Sequence, residues 1–230
     1  MKDEVAGVTV TWELITMSGD MNTAKKKLFD GLRRQISGEE VLDAMERVPR
    51  ELFVPEGSQH LSYEDIPLPI GDGQTISQPY IVALMTNALE IKGEDMVLEL
   101  GTGSGYQAAI LSLLARKVYT IERVAILAAK AGTLLASLGY SNVEARLTGS
   151  ELGFPEEAPF DAIIVTAAAP RLPRVLLDQM AQEGRLVIPV GSQREQGLIK
   201  VTKVDDGYCV SNLGSCRFVP LLGKGGWDET

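Results

Sequence analysis

Apolar and polar positions change their rhythm at about Met96. Beyond it, short apolar runs alternate with amphipathic stretches. The runs near 96–100, 117–121, 143–147, 161–166, 185–190, 197–204 and 216–221 predict strands. The stretches near 105–115, 123–138 and 172–182 predict helices. Strands alternating with helices imply an α/β protein, a parallel sheet with helices on both faces. No helix separates the last two strands, so they form an antiparallel hairpin. Val204-Asp205-Asp206-Gly207-Tyr208 supplies its turn.

Before Met96 the pattern is mainly helical. Helix signals begin near Asn22, with apolar positions at Leu28, Leu32 and Ile36. Ser37-Gly38-Glu39-Glu40 reads as a capping box ahead of Val41, Leu42 and Met45. Pro49 and Pro55 bracket a short turn carrying Leu52 and Phe53. The prolines of Ile66-Pro67-Leu68-Pro69-Ile70 make it extended. The polar loop Gly71 to Gln78 ends at Pro79, a favourable first residue for a helix through about Leu89. Residues 1–18 stand apart: Val8-Thr9-Val10-Thr11-Trp12 alternates like a strand ahead of a polar helix. The division expected is an extension, 1–18, and one domain, 19–230. Within that domain, 19–78 is a helical part with the polar loop, and 79–230 is the α/β core.

The chemistry concentrates at Val97-Leu98-Glu99-Leu100-Gly101-Thr102-Gly103-Ser104-Gly105-Tyr106. An apolar strand enters a glycine turn that opens a helix. Glycines let the backbone turn sharply and approach a ligand, and the helix start offers free N–H groups. Glu122 ends the next apolar run, placed to accept hydrogen bonds from ribose hydroxyls. A dinucleotide fingerprint reads G-x-G-x-x-G. Here the spacing is G-x-G-x-G, an acid precedes it, and no P-loop lysine follows. A short acidic loop suits a cationic nucleoside without phosphate, S-adenosylmethionine, better than NAD. The remaining alternative is a turn that binds nothing.

Bulk properties narrow the classes. The 230 residues suffice for one domain with a small addition, and an apolar content of 45% supports a substantial core. A net charge of −9 argues against general nucleic-acid binding. Lys25, Lys26, Lys27, Arg33 and Arg34 read as a solvated helix face. The single histidine, His60, disfavours a histidine metal site or a histidine-rich triad. Cys209 and Cys216 lack metal-ligand spacing and read as free thiols in a reducing, cytoplasmic compartment. No apolar run is long enough to span a bilayer, and the first residues lack the pattern of a secretory signal.

Ligands of open α/β sheets bind beyond the carboxyl ends of the strands. That places Thr166-Ala167-Ala168-Ala169-Pro170 beside the glycine loop, where small side chains leave room for a ligand or for close packing. Thr75 and Ser77 read locally either as caps of the helix at Pro79 or as hydroxyl donors to a carboxylate. The scarcity of general bases fits methyl transfer to a carboxylate. That nucleophile is already ionised, so the protein need only align and partly desolvate the reactants.

Several segments together resemble the protein-L-isoaspartate O-methyltransferases. They are Val48-Pro49-Arg50-Glu51-Leu52-Phe53-Val54-Pro55, Gly73 to Pro79, Leu98 to Tyr106, Ala158-Pro159-Phe160-Asp161, Thr166 to Pro170 and Gly184 to Gly191. The resemblance runs from about residue 28 to 222. It implies a Rossmann-like methyltransferase fold with helices on both faces, an added N-terminal helical part and an antiparallel last strand. It implies methylation of the α-carboxylate of L-isoaspartyl residues in damaged proteins and peptides, with S-adenosylhomocysteine as by-product. The ester then collapses to a succinimide, which hydrolyses partly to normal aspartate.

The resemblance also assigns residues. Ser77 matches the serine beside the substrate carboxylate. Gln74, Thr75, Ile76, Ala168 and Pro170 are expected at the substrate. Glu99, Gly101, Thr102, Gly103, Gly105, Glu122, Gly149 and Ser150 are expected at the cofactor, with no metal. A monomer is expected, without nucleic acid or membrane. One departure stands out: the family usually has Gly-Asp-Gly where this chain has Thr148-Gly149-Ser150. That aspartate accepts from the adenine amino group, and its loss costs roughly 1.5–3 kcal/mol unless Ser150 or Glu151 replaces it. The competing expectations are a degenerate cofactor binder and a methyltransferase for a small carboxylic acid.

Overall fold

The computed structural model describes residues 12–228. The chain begins with α1 (Trp12–Leu32) and α2 (Glu39–Arg47) and reaches the hairpin β1 (Leu68–Gly71) and β2 (Gln74–Ile76), followed by α3 (Pro79–Leu89). The α/β core then runs β3 (Met96–Leu100), α4 (Tyr106–Ser112), β4 (Lys117–Glu122), α5 (Ala125–Ser137), β5 (Val143–Leu147), β6 (Phe160–Val165), α6 (Arg174–Leu177), β7 (Met180–Gly191), β8 (Gln196–Val204) and β9 (Gly207–Cys216). The larger sheet has the order β5-β4-β3-β6-β7-β8-β9. It is parallel from β5 to β7 and antiparallel across β7–β8 and β8–β9.

Both sheet faces are covered, which is why the central strands are apolar rather than alternating. Leu98, Leu100, Tyr119, Ile121, Ile163 and Val165 point to one core, which Leu176 of α6 joins. Val97, Val118, Ala162 and Ile164 point to the other, under Met85 and Leu89 of α3 and Leu111 of α4. The N-terminal helices share a core with Tyr106, Ala109 and Ile110 of α4 and Leu135 of α5. They therefore pack on the α/β core rather than around a centre of their own.

Register aligns the strand ends that matter. Leu100 sits beside Ile121 on one side and Val165 on the other, so three loops leave the sheet at one level. The same register puts Glu99 beside Thr120. The far end of α3 is pinned by buried Arg185, which donates to the carbonyls of Leu89 and Glu90 at 2.8 and 2.9 Å and pairs with Asp95. A cation there complements the C-terminal end of the helix dipole.

Four expectations need correction. The apolar spacing Leu172, Leu176, Leu177, Met180 imitates a helix over 172–182. Only Arg174–Leu177 is helical, and β7 already begins at Met180, which pairs with Phe160. A register shift follows, with Glu183 at φ 60° and Gly184 packed on backbone. The expected strand 216–221 is absent, because its apolar residues turn over the sheet end. The hairpin partner is the mostly polar β9. The capping box does not form: Gly38 is the N-cap, and a side chain there would meet Asn87 of α3 at 2.0 Å. The first helix starts at Trp12, inside the stretch expected as an extension, while the strand-like Val8 to Thr11 falls outside the described residues. Cys209 and Cys216, read as free thiols, lie near opposite ends of β9 with no disulfide between them.

Candidate active site

The three aligned loops open into a cleft of about 820 Å³, bounded on the other side by β2, the loop after it and residues 215–222. The glycine loop forms its floor. Gly101 has φ 98°, and a side chain there would meet the Thr166 hydroxyl at 2.3 Å. That hydroxyl donates to the carbonyls of Leu100 and Gly101 at 3.0 and 2.8 Å and ties the first turn to the β6 loop. Gly103 has φ 52° and also lines the cleft. Gly105, φ 88°, faces elsewhere: a side chain there would press on Leu135 at 3.2 Å, so this glycine lets α4 approach α5.

Two acids flank the loop in different surroundings. The Glu122 carboxylate accepts from the N–H groups of Gly103, Arg123 and Val124 at 2.9, 2.8 and 2.9 Å. An ionised carboxylate has about four lone-pair positions, so one remains for a ligand hydroxyl. Glu99 is wholly buried. Its Oε2 accepts from Thr120 at 2.6 Å, and Thr120 in turn is 2.6 Å from the Thr102 hydroxyl. Since Thr120 uses its hydrogen on Glu99, Thr102 donates to Thr120. Glu99 Oε1 has no partner, although the residue lines the cleft. Burial pushes the Glu99 carboxyl up to about 8; the Thr120 hydrogen bond opposes the shift and Glu122 adds to it. An orphaned buried acceptor on a residue that lines a cleft calls for a donor. The ammonium of S-adenosylmethionine fits that demand, and the open glycine floor fits its close approach.

The opposite wall carries Gln74, Thr75, Ile76 and Ser77. Neither hydroxyl caps α3. Asp65 does, accepting from the Tyr80 N–H at 2.8 Å and from the Gln78 side chain at 3.0 Å. Buried Arg50 donates to the Ser77 carbonyl at 2.9 Å. Ser77 is half-buried and lines the cleft.

The cleft thus brings together Gln74, Thr75, Ile76, Ser77, Glu99, Gly101, Thr102, Gly103, Glu122 and Gly149. It does not include Gly105, Ser150, Ala168 or Pro170. Ala168 is buried and exchanges backbone hydrogen bonds with Val219 and Leu221, so the small residues after β6 serve close packing there. The Ser150 carbonyl accepts from the Lys224 N–H at 2.8 Å. Of the two substitutes considered for the missing aspartate, only Glu151 lines the cleft, and it pairs with Lys224 at 3.2 Å. Sequence reasoning gave no role to Arg217–Leu222 and Trp227, which close one side. The signal was the glycine-rich end, Gly223, Gly225 and Gly226, which folds Trp227 back so that its indole donates to the Ala168 carbonyl at 3.1 Å.

Comparison with known proteins agrees with this geometry. The family described as protein-L-isoaspartate(D-aspartate) O-methyltransferase matches residues 22–226. A protein-L-isoaspartate O-methyltransferase 1 of Syntrophobacter fumaroxidans is 54% identical over 85% of this chain and 91% of its own. One from Geobacter metallireducens is 51% identical over 90% and 98%. Among solved structures, a protein-L-isoaspartate O-methyltransferase superposes with TM-score 0.78 at 28% identity, covering 88% of this chain and 67% of that one. A Plasmodium falciparum protein described as a putative member, in complex with S-adenosyl-L-homocysteine, gives TM-score 0.74 at 27% identity over 85% and 96%. With sheet order, acid-flanked glycine loop and Ser77 loop in one cleft, the chain belongs to the protein-L-isoaspartate(D-aspartate) O-methyltransferase family.

Proposed function

We propose that this chain methylates the α-carboxylate of L-isoaspartyl residues in damaged proteins, using S-adenosylmethionine. One observation carries the reading: in a chain of this family, a single cleft holds both the orphaned Glu99 oxygen and the Ser77 loop. When bound, S-adenosylmethionine supplies an electrophilic methyl group. Glu99 Oε1 would accept from its ammonium, the free lone pair of Glu122 from its ribose, and Gly101 and Gly103 would let it lie against the backbone. Ser77 would donate to one oxygen of the acceptor carboxylate and leave the other free to attack. The attacking oxygen is already anionic, so no residue has to remove a proton. Exclusion of water by Ile76, Leu221 and Leu222 along the cleft walls strengthens these contacts.

The net charge of −9 favours a protein acceptor over nucleic acid. Two free thiols suit a reducing cytoplasm, and among the described residues no helix is long and apolar enough to cross a membrane. We take 19–230 as one functional unit acting as a monomer. The test is transfer of labelled methyl from S-adenosylmethionine to a peptide with one L-isoaspartyl residue, beside its aspartyl twin. Label on the isoaspartyl peptide alone is expected; label on neither rejects the reading.

Gly149 gives a separate prediction. It lines the cleft, and a Cβ there meets nothing within 4 Å. The first carbon of a side chain therefore has room at this position. Gly149→Asp is expected to tighten S-adenosylhomocysteine binding by about tenfold or more, the worth of one hydrogen bond to a charged acceptor. Calorimetry reads it directly; unchanged or weaker affinity would mean that Glu151 already fills the role or that the base lies elsewhere.

A further inference from the structure

Arg50 is 0% exposed and heads the fully buried side chains. Its Nε donates to the Ser62 carbonyl at 2.9 Å and its Nη2 to the Ser77 carbonyl at 2.9 Å, while Nη1 has no partner. The guanidinium lies over the Tyr106 ring, 4.8 Å from its centroid. Tyr106 and Ser77 both line the cleft, so the cation stands directly behind that wall. Among the described residues no carboxylate comes within ion-pair distance of it. Asp65 attracts it from farther off but is already occupied by Tyr80 and Gln78. Burial pulls the Arg50 pKa down, yet a guanidinium remains charged in proteins.

A buried cation without a carboxylate partner is destabilising, and apolar side chains of similar size often replace such groups without loss. Two backbone carbonyls and an aromatic face do not neutralise it. What they do is fix it, with one arm on the residue that faces the acceptor. An anion arriving at Ser77 would meet a standing positive potential across a thin, low-dielectric wall, where charges act more strongly than in water.

We propose that Arg50 is a positioning and selectivity residue for the acceptor: it holds Ser77 through its carbonyl and, as an unpaired buried cation, favours an anionic group beside the Ser77 hydroxyl. The inference rests on the proposed function, which places the acceptor carboxylate at Ser77. A merely structural Arg50 would support both sides of the cleft alike. A positioning Arg50 acts chiefly on the acceptor side: it also lies against Tyr106 at the start of α4, but Glu99, Gly101 and Glu122 are held by separate contacts.

The test uses the whole protein and two variants. Arg50→Met removes charge and fork but keeps much of the volume. Arg50→Lys keeps the charge and loses the two-armed geometry. For Arg50→Met, the KM for an L-isoaspartyl peptide is expected to rise about tenfold or more, equivalent to ~1.4 kcal/mol, with the Kd for S-adenosylhomocysteine unchanged. For Arg50→Lys a rise of roughly threefold is expected, since charge without the fork restores part of the effect. If the Met variant does not fold, the Lys variant carries the test alone. A folded variant with unchanged peptide KM overturns the proposal, as does a Kd that rises in step with the KM. Failure of the underlying function would show separately, as no label on the peptide with the unaltered protein.

Discussion

Ser77→Ala is expected to lower kcat/KM for an L-isoaspartyl peptide by about a hundredfold, because misplacing reacting atoms by roughly 1 Å costs that much. The hydroxyl belongs to a half-buried residue on a wall fixed at three points. Arg50 holds the Ser77 carbonyl, Asp65 holds Gln78 and the start of α3, and β2 pairs with β1 through Gln74, Thr75 and Ile76. Removing one oxygen leaves this frame intact. Nothing then orients the acceptor carboxylate, and either of its oxygens presents itself in many directions. Because no proton is transferred, the loss is one of alignment, and it should be nearly independent of pH. S-adenosylhomocysteine affinity should stay as in the unaltered protein, since Ser77 lies across the cleft from Glu99 and Glu122. Single-turnover methylation and calorimetry on the same preparation separate the two. A variant with full activity would remove Ser77 from the site, and a parallel loss of affinity would show that the wall had collapsed.

The parallel core was legible because its strands are apolar on both faces and the glycine loop lies where β3 must end. Periodicity misled where one apolar set serves another geometry. Leu176 and Met180 are spaced like a helix, yet the first ends α6 and the second begins β7. Phe218, Val219 and Leu221 read as a strand, yet they wall the cleft. The polar β9 gives almost no apolar signal, because most of it is exposed. At the site, the glycine spacing pointed to Gly101 and Gly103, which line the cleft. It could not separate them from Gly105, whose role depends on the approach of Leu135. Arg50 was invisible for a related reason: an arginine between two prolines reads as surface, and only the tertiary fold buries it.

Glu99 couples cofactor binding to protons, and the sign follows from its burial. With its carboxyl pushed up to about 8, the empty protein holds Glu99 mostly protonated at neutral pH. A cationic ammonium at Oε1 favours the ionised form, so binding releases a proton. Affinity for S-adenosylhomocysteine should therefore rise with pH, by about tenfold between pH 6 and 7, where the ligand ammonium is still largely protonated. The rise should level off as pH approaches 8. Glu99→Gln should bind about a hundredfold more weakly at pH 7.5, through loss of a charge-assisted contact worth roughly 1.5–3 kcal/mol, and should show no such slope. The same group makes the opposite mark on folding. Unfolded, Glu99 ionises near 4.5; folded, near 8. Between those values the folded state binds the extra proton, so stability of the empty protein falls as pH rises, by up to about 1.4 kcal/mol per unit. Denaturant unfolding across that window, with and without S-adenosylhomocysteine, measures both signs on one sample. The ligand should flatten the slope and Glu99→Gln should abolish it. A slope that survives the substitution would assign the titration to another group and leave Glu99 as a buried, ligand-independent member of the Thr102–Thr120 chain.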